Sequence, residues 1–150
     1  MIKILNKKFL KFALFFIFLF NTNIQNAEEI LLYADDISYD NDNNIIAKGN
    51  AKIIQNNEII TSDLIIYSKK NNIIILPIKF GLKDEKDNYY FGSSGNFNRD
   101  LDLAKINNVK ILLSDGSRIA GKEAKRNKNI DIITKGVYTP CTSRIKIFDF

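Results

Sequence analysis

The sequence predicts an all-β fold, and three observations carry that expectation. Ile is the commonest apolar residue and Asn the commonest polar one. A β-branched side chain suits a pleated strand, and Asn suits the turn that follows it. Apolar and polar residues also alternate with period two. In Ile45-Ile46-Ala47-Lys48-Gly49-Asn50-Ala51-Lys52-Ile53 the odd positions are apolar or small, while Lys48, Asn50 and Lys52 take even ones. This is the pattern of half-buried antiparallel strands. Finally, strand-like runs recur at a fixed spacing. Asp35-Asp36-Ile37-Ser38-Tyr39, then Asn43-Asn44-Ile45-Ile46, returns 28 residues later as Asp63-Leu64-Ile65-Ile66-Tyr67, then Asn71-Asn72-Ile73-Ile74. One hairpin cannot bury its own apolar face, so the repeat predicts stacked β-rungs.

The first element is a leader. Lys3, Lys7, Lys8 and Lys11 form a basic start, Phe12 to Phe20 an uninterrupted apolar run, and Asn21 to Asn26 a polar stretch ending at Ala27. These are the parts of a secretory signal peptide over residues 1–27. The alternative is an uncleaved anchor. The apolar stretch from Phe9 to Phe20 holds 12 residues and is interrupted by Lys11. Spanning a bilayer takes roughly 20. The leader also accounts for the net charge of +5, because the chain after Ala27 carries 18 basic and 17 acidic residues. No basic stripe of the kind that follows phosphates is left, so no nucleic-acid partner is expected. Export places the single Cys in an oxidising compartment.

After the leader, strands are expected over 31–39, 45–53, 59–67, 72–80, 88–93, 108–114 and 117–125, around Ile130-Asp131-Ile132, and over 144–149. Turn signals separate most of them: Asp40 to Asn44, Gln55 to Asn57, Lys69 to Asn72, Lys83 to Asn88, and Asp115-Gly116. Pro77 demotes its strand to an edge or an irregular one. Residues 94–107 break the alternation and are expected as a loop, and no helix is expected after the leader. The first strand, Ile30 to Tyr39, would be left unpaired on one side with little but Asp35 and Asp36 to protect it. Either another copy or another protein pairs with such an edge, or Glu28 and Glu29 discourage the pairing.

The residue inventory argues against an enzyme. With no His and one Cys, imidazole bases, Cys-His pairs and His- or thiolate-bound metals are excluded, so neither a metal nor a cofactor is expected. Asp35 and Asp36 are adjacent on a strand and face opposite ways, so they cannot flank one bond. Cys141 has no His to activate it and no second Cys to pair with. The acidic group Asp84-Glu85-Asp87 reads as a turn. Lys122, Lys125, Arg126 and Lys128 form the densest basic cluster, read either as a solvated face or as a contact for phosphates or acidic sugars.

Tyr33-Ala34-Asp35-Asp36-Ile37-Ser38-Tyr39, Gly49-Asn50-Ala51-Lys52-Ile53 and Ser62-Asp63-Leu64-Ile65-Ile66-Tyr67 resemble the OstA-type repeat. That repeat is shared by the lipopolysaccharide transport proteins LptA, LptC and the N-terminal domain of LptD. Asp115-Gly116-Ser117-Arg118, followed by Gly136-Val137-Tyr138-Thr139-Pro140-Cys141, is similar to the end of the periplasmic domain in the alphaproteobacterial LptD family. The resemblance covers nearly all of residues 30–141. It implies an OstA-like domain over 28–141, folded as an open, V-shaped β-jellyroll, with 142–150 beginning a truncated following segment. It implies lipopolysaccharide as cargo, carried through the periplasm toward the outer membrane. Its implied partners are an LptA-type bridge protein at an edge strand and, if the chain continues, an outer-membrane barrel with its plug lipoprotein. The family's downstream cysteine pair is incomplete here, which leaves Cys141 for a disulfide partner outside this chain.

Period-two facing puts Ile37, Tyr39, Ile45, Ala47, Ile53, Ile65, Tyr67, Ile73, Ile130 and Ile132 on the inward side. Ordinary core packing is one role for them. The resemblance implies another, a continuous apolar groove for acyl chains, with Ala47, Gly49 and Ala51 leaving room. A self-stacking scaffold protein with a filled core is the competing class.

Overall fold

A computed structural model describes residues 30–128 and 130–140 of the chain. The expected leader, the strand expected over 144–149 and Cys141 lie outside the described residues. Twelve strands form one antiparallel sheet, and no helix occurs among the described residues. In order they are β1 (Leu31–Tyr33), β2 (Asp36–Tyr39), β3 (Ile45–Gln55), β4 (Glu58–Ser68), β5 (Ile73–Leu76) and β6 (Phe80–Lys83). Then follow β7 (Tyr89–Gly92), β8 (Ser94–Asn98), β9 (Leu103–Leu112), β10 (Arg118–Asn127), β11 (Ile130–Thr134) and β12 (Val137–Thr139).

Two long hairpins, β3–β4 and β9–β10, make the frame. Two short pairs bridge them. At one end β5 and β8 join β4 to β9, and at the other β6 and β7 do the same. Beyond this ring the sheet continues as two wings: β1 and β2 on β3, and β11 and β12 on β10. Among the described residues the wings do not pair with each other, so the sheet is open.

The expected all-β architecture is present, with three local corrections. The strand expected over 72–80 is two, because Pro77 ends β5 at Leu76 and the chain restarts at Phe80 on a different stretch of β4. The strand expected over 31–39 is also two. Between them the Asp35 amide donates to Gly49 O at 2.9 Å, and Asn50 Nδ2 donates to Asp35 Oδ2 at 2.8 Å. Those contacts hold a bulge, where Gly49 and Asn50, both at positive φ, oppose the single residue Asp63. Residues 94–107, expected as a loop, contain β8 and the start of β9. Gly95 and Phe97 face the core there while Ser94, Asn96 and Asn98 face outward, a true alternation disguised by having glycine at one inward position.

The Asn-rich turns share one construction. Asp40 Oδ1 accepts the amides of Asp42 and Asn44 at 2.9 Å each, while Oδ2 accepts Asn44 Nδ2 at 2.8 Å. Asp84 repeats this on Lys86 and Asn88 at 2.9 and 2.8 Å, again with the Asn side chain on Oδ2. The residue before each Asn, Asn43 or Asp87, takes positive φ. A carboxylate that satisfies two turn amides fixes the loop, and Asn and Asp tolerate the left-handed region better than most residues. The acidic group at 84–87 is thus a turn, with Asp84 as its buried anchor.

The core is filled at its centre. Phe80 and Phe97 pack edge to face with ring centroids 5.6 Å apart, joining the two bridges. Phe80 lies on Gly92 and Gly95, where a Cβ would come within 2.6 and 3.0 Å of its ring. Gly92→Ala would also meet Ile106 Cγ2 at 2.6 Å. Overpacking of this kind is expected to cost about 2 kcal/mol. Urea denaturation with an unchanged m-value checks it, and an unchanged midpoint contradicts it.

Candidate functional site

Strand register resolves the inward face into rungs that cross the sheet. One runs Tyr39, Ile45, Tyr67, Ile74, Phe97, Ala104, Arg126, Asp131. Another, nearer the other end of the strands, runs Leu32, Ile53, Ile60, Leu82, Tyr90, Ile111, Ile119, Tyr138. Directly opposed residues of an antiparallel pair point to the same face, so each rung is a strip of that face. The middles of both rungs are buried. The difference lies at the wings.

At the β2 wing the inward face is apolar and open. Ile37, opposite buried Ala47, is 47% exposed, and Tyr39, opposite Ile45, is 64% exposed. These side chains point the way core residues point, yet no second layer among the described residues covers them. Ile45 and Tyr67 continue the strip half-buried, and Ala47 and Ile65 form its fully buried floor. The ring of Tyr39 is bounded by Lys69, whose Nζ lies 5.1 Å from the centroid.

At the β11 end of the opposite wing the inward face is closed by charge, whereas Tyr138 of β12, where the second rung ends, is 58% exposed. Arg126 of β10 donates from Nε to Asp131 Oδ1 at 3.2 Å, and its Nη1 lies 3.5 Å from Glu58 Oε1 at the start of β4. Its guanidinium sits 4.7 Å from the ring centroid of Tyr90, whose hydroxyl donates to Asp131 Oδ2 at 3.2 Å. The end of one rung therefore touches the middle of the other, so the β10–β11 wing folds back over β4 and β7. The Arg126 side chain is 10% exposed and that of Glu58 16%.

Burial opposes the charge on Arg126, but Asp131, Tyr90 and Glu58 outweigh it and hold the guanidinium above its ordinary value. Burial pushes the Tyr90 hydroxyl up to about 12, against the pull of Arg126. Burial likewise raises the Glu58 carboxyl, again against Arg126. A carboxyl whose folded pKa is raised favours the folded state below its unfolded pKa. That contribution fades as pH climbs through the folded value. Glu58→Gln removes this fading term, so the variant is expected to stand better against the native chain at neutral than at mildly acidic pH. Denaturant midpoints at the two pH values check this; a pH-independent difference contradicts it.

Of the ten residues expected on an inward groove, seven face inward. Ala47, Ile53 and Ile65 are buried in the core, and Ile37, Tyr39, Ile45 and Tyr67 line the open wing. Three point the other way. Ile73 pairs with Ser68 and Asn98 on the outer face, and Ile74 takes the inward place. The hairpin pairing Tyr39 with Ile45 has one residue fewer between these two than the hairpin pairing Tyr67 with Ile74. Matching Ile73 to Ile45 by repeat therefore slips the register by one and reverses the facing. Ile130 and Ile132 pair with Asn127 and Lys125 on the outer face and are 65% and 58% exposed. Asp131 occupies the inward position between them because Arg126 waits there. The centre of the inward face is packed by Phe80 and Phe97, and among the described residues the apolar side chains left open on it lie at the wings, Ile37 and Tyr39 on β2 and Tyr138 on β12.

The basic cluster divides. Arg126 turns inward, Lys125 lies 3.5 Å from Glu123, and Lys122 and Lys128 are exposed. The closing group of Arg126, Asp131, Glu58 and Tyr90 was not foreseen. Arg126 and Asp131 facing each other across a short turn was its one sequence signal; nothing in the pattern brings Glu58 or Tyr90 to them.

No protein-family model matches the chain, and no curated protein does. Among solved structures the chain is similar to LptH of Pseudomonas aeruginosa, the LptA-homologous periplasmic component of a lipopolysaccharide transport device. The TM-score is 0.58 at 13% identity, over 71% of this chain and 82% of that one. The fold is therefore the all-β jellyroll that the sequence led us to expect.

Proposed function

We propose that this protein is a non-enzymatic carrier of lipopolysaccharide, holding acyl chains against the inward face at the β2 wing. The observation that carries the reading is Ile37 and Tyr39: inward-facing, apolar and uncovered, at the mouth of a strip whose floor is fully buried. Each methylene sheltered from water contributes about 0.8 kcal/mol. A short apolar shelf is then enough to retain a multi-chain lipid while leaving it free to slide off. The likeness to LptH supports this reading, and so does the resemblance of the Asp35–Tyr39 and Ser62–Tyr67 segments to the OstA-type repeat.

The same reading takes residues 1–27 as a cleaved leader and places the mature protein in the periplasm, associated with the outer membrane. It assigns the outer edges of β1–β2 and β11–β12, which no described strand pairs, to a bridge protein of the LptA type. The Tyr138-Thr139-Pro140-Cys141 stretch favours the N-terminal domain of an LptD-type assembly protein, with barrel and plug lipoprotein as partners and a disulfide from Cys141 to a cysteine outside this chain.

The packed centre at Phe80 and Phe97 favours a second reading, a self-stacking scaffold without cargo. Native mass spectrometry of the protein purified from its periplasm separates the two. Co-purifying lipid A species are expected for the carrier, whereas oligomers free of lipid would support the scaffold.

A further inference from the structure

We infer that a notch in the outer wall, on the face opposite the inward strip, binds single-chain anionic amphiphiles. Strand β4 is paired to β6 through Ile59–Ser62 and to β5 through Ile66–Ser68, so the segment between, from Asp63 to Ile65, has no ladder partner on that side. The exposed connection from Pro77 to Lys79 spans the gap, pinned by Ser62 Oγ donating to Lys79 O at 2.9 Å. A cleft of about 520 Å³ opens there, within the range of about 300–1,000 Å³ found for small-ligand sites.

The lining of this cleft has two chemistries. Register runs Lys52, Thr61, Gly81, Phe91 across the outer face. Gly81 leaves the notch: a Cβ there would fill the space 3.3 Å from Thr61 Oγ1 and 3.5 Å from the Phe91 ring. Phe91 is the apolar wall, and Phe80, whose ring packs into the core, also borders the cleft. Lys52 and Lys79 also line the cleft, and neither has an ion-pair partner among the described residues. Asp63 is the one carboxylate in the lining, which leaves a net positive site. Two unpaired ammonium groups beside an aromatic wall fit an anionic head with one alkyl tail. A cationic head fits badly, and a multi-chain lipid is too large for the notch. The inference does not depend on the reading of the inward face, because the two sites lie on opposite faces of the sheet.

Dodecyl phosphate, below its micelle concentration, is the probe. Amide shifts on titrating the native protein are expected at Thr61, Gly81 and Phe91. Lys52→Glu with Lys79→Glu is expected to weaken binding at least ~10-fold, while Ile130→Asp, an exposed position on β11 outside both sites, leaves it unchanged. Dodecyltrimethylammonium is expected to bind more weakly than the phosphate. Shifts concentrated at Ile37 and Tyr39, equal affinity for both head groups, or full affinity in the charge-reversed variant would each overturn the inference. Because the shift map uses the native protein, it decides the matter even if a variant fails to fold.

Discussion

Arg126→Ala is expected to destabilise the fold by about 4 kcal/mol, the cost typical of removing one partner from a buried ion pair. Arg126 is the sole cation in a group where Glu58 is 84% removed from solvent by side-chain area and Asp131 bonds both Arg126 and Tyr90. Deleting the guanidinium leaves the Glu58 carboxylate desolvated without its pairing cation, beside Asp84, Glu85 and Asp131, which all act to raise its pKa further. It also removes the cation over the Tyr90 ring. Glu58→Gln, by contrast, leaves Arg126 paired with Asp131 and is expected to cost far less. The asymmetry between the two variants is the diagnostic outcome, read from denaturant midpoints. A loss below about 1 kcal/mol for Arg126→Ala, the scale of an exposed pair, would mean that the group does not hold the β10–β11 wing closed.

Ile37→Asp combined with Tyr39→Asp is expected to abolish lipid retention while leaving stability nearly unchanged. Both side chains are about half exposed or more, so the folded state loses little packing. An acyl chain laid along β2 would meet two carboxylates that must be desolvated or neutralised, and that penalty exceeds what a few methylenes return. At least tenfold less lipid A is expected to co-purify, measured by mass spectrometry on material of matched thermal midpoint. Undiminished lipid would place the cargo somewhere other than the β2 wing.

The legible and illegible parts of this molecule divide along one physical line. Alternation along a single strand reports which residues share a face, and it located β3, β4, β7 and β10 nearly to their ends. It does not report which face is inward once a strand bends. On β4, Ile60 faces the core with even-numbered neighbours and Ile65 with odd-numbered ones, on either side of the Gly49–Asn50 bulge. On β9 the same reversal separates Ile106 from Val109, at Asn108 with its positive φ. A buried ion pair also inverts the hydrophobic signal. Asp131 reads as solvent-facing because it is charged, and its isoleucine neighbours read as core for the same reason. The inward facing of Ile37, Tyr39 and Ile45 was legible because they lie before any reversal. The filled centre was not, because it depends on glycines at 92 and 95 admitting Phe80 from another strand.

The most direct test is site-specific photocrosslinking to lipopolysaccharide in living cells. Probes placed at Ile37 and Tyr39 should capture it, while probes at Ile130 and Ile132, equally exposed but on the outer face, should not. Equal capture at the two pairs would mean that the lipid does not distinguish the faces of the sheet, and the carrier account would fail.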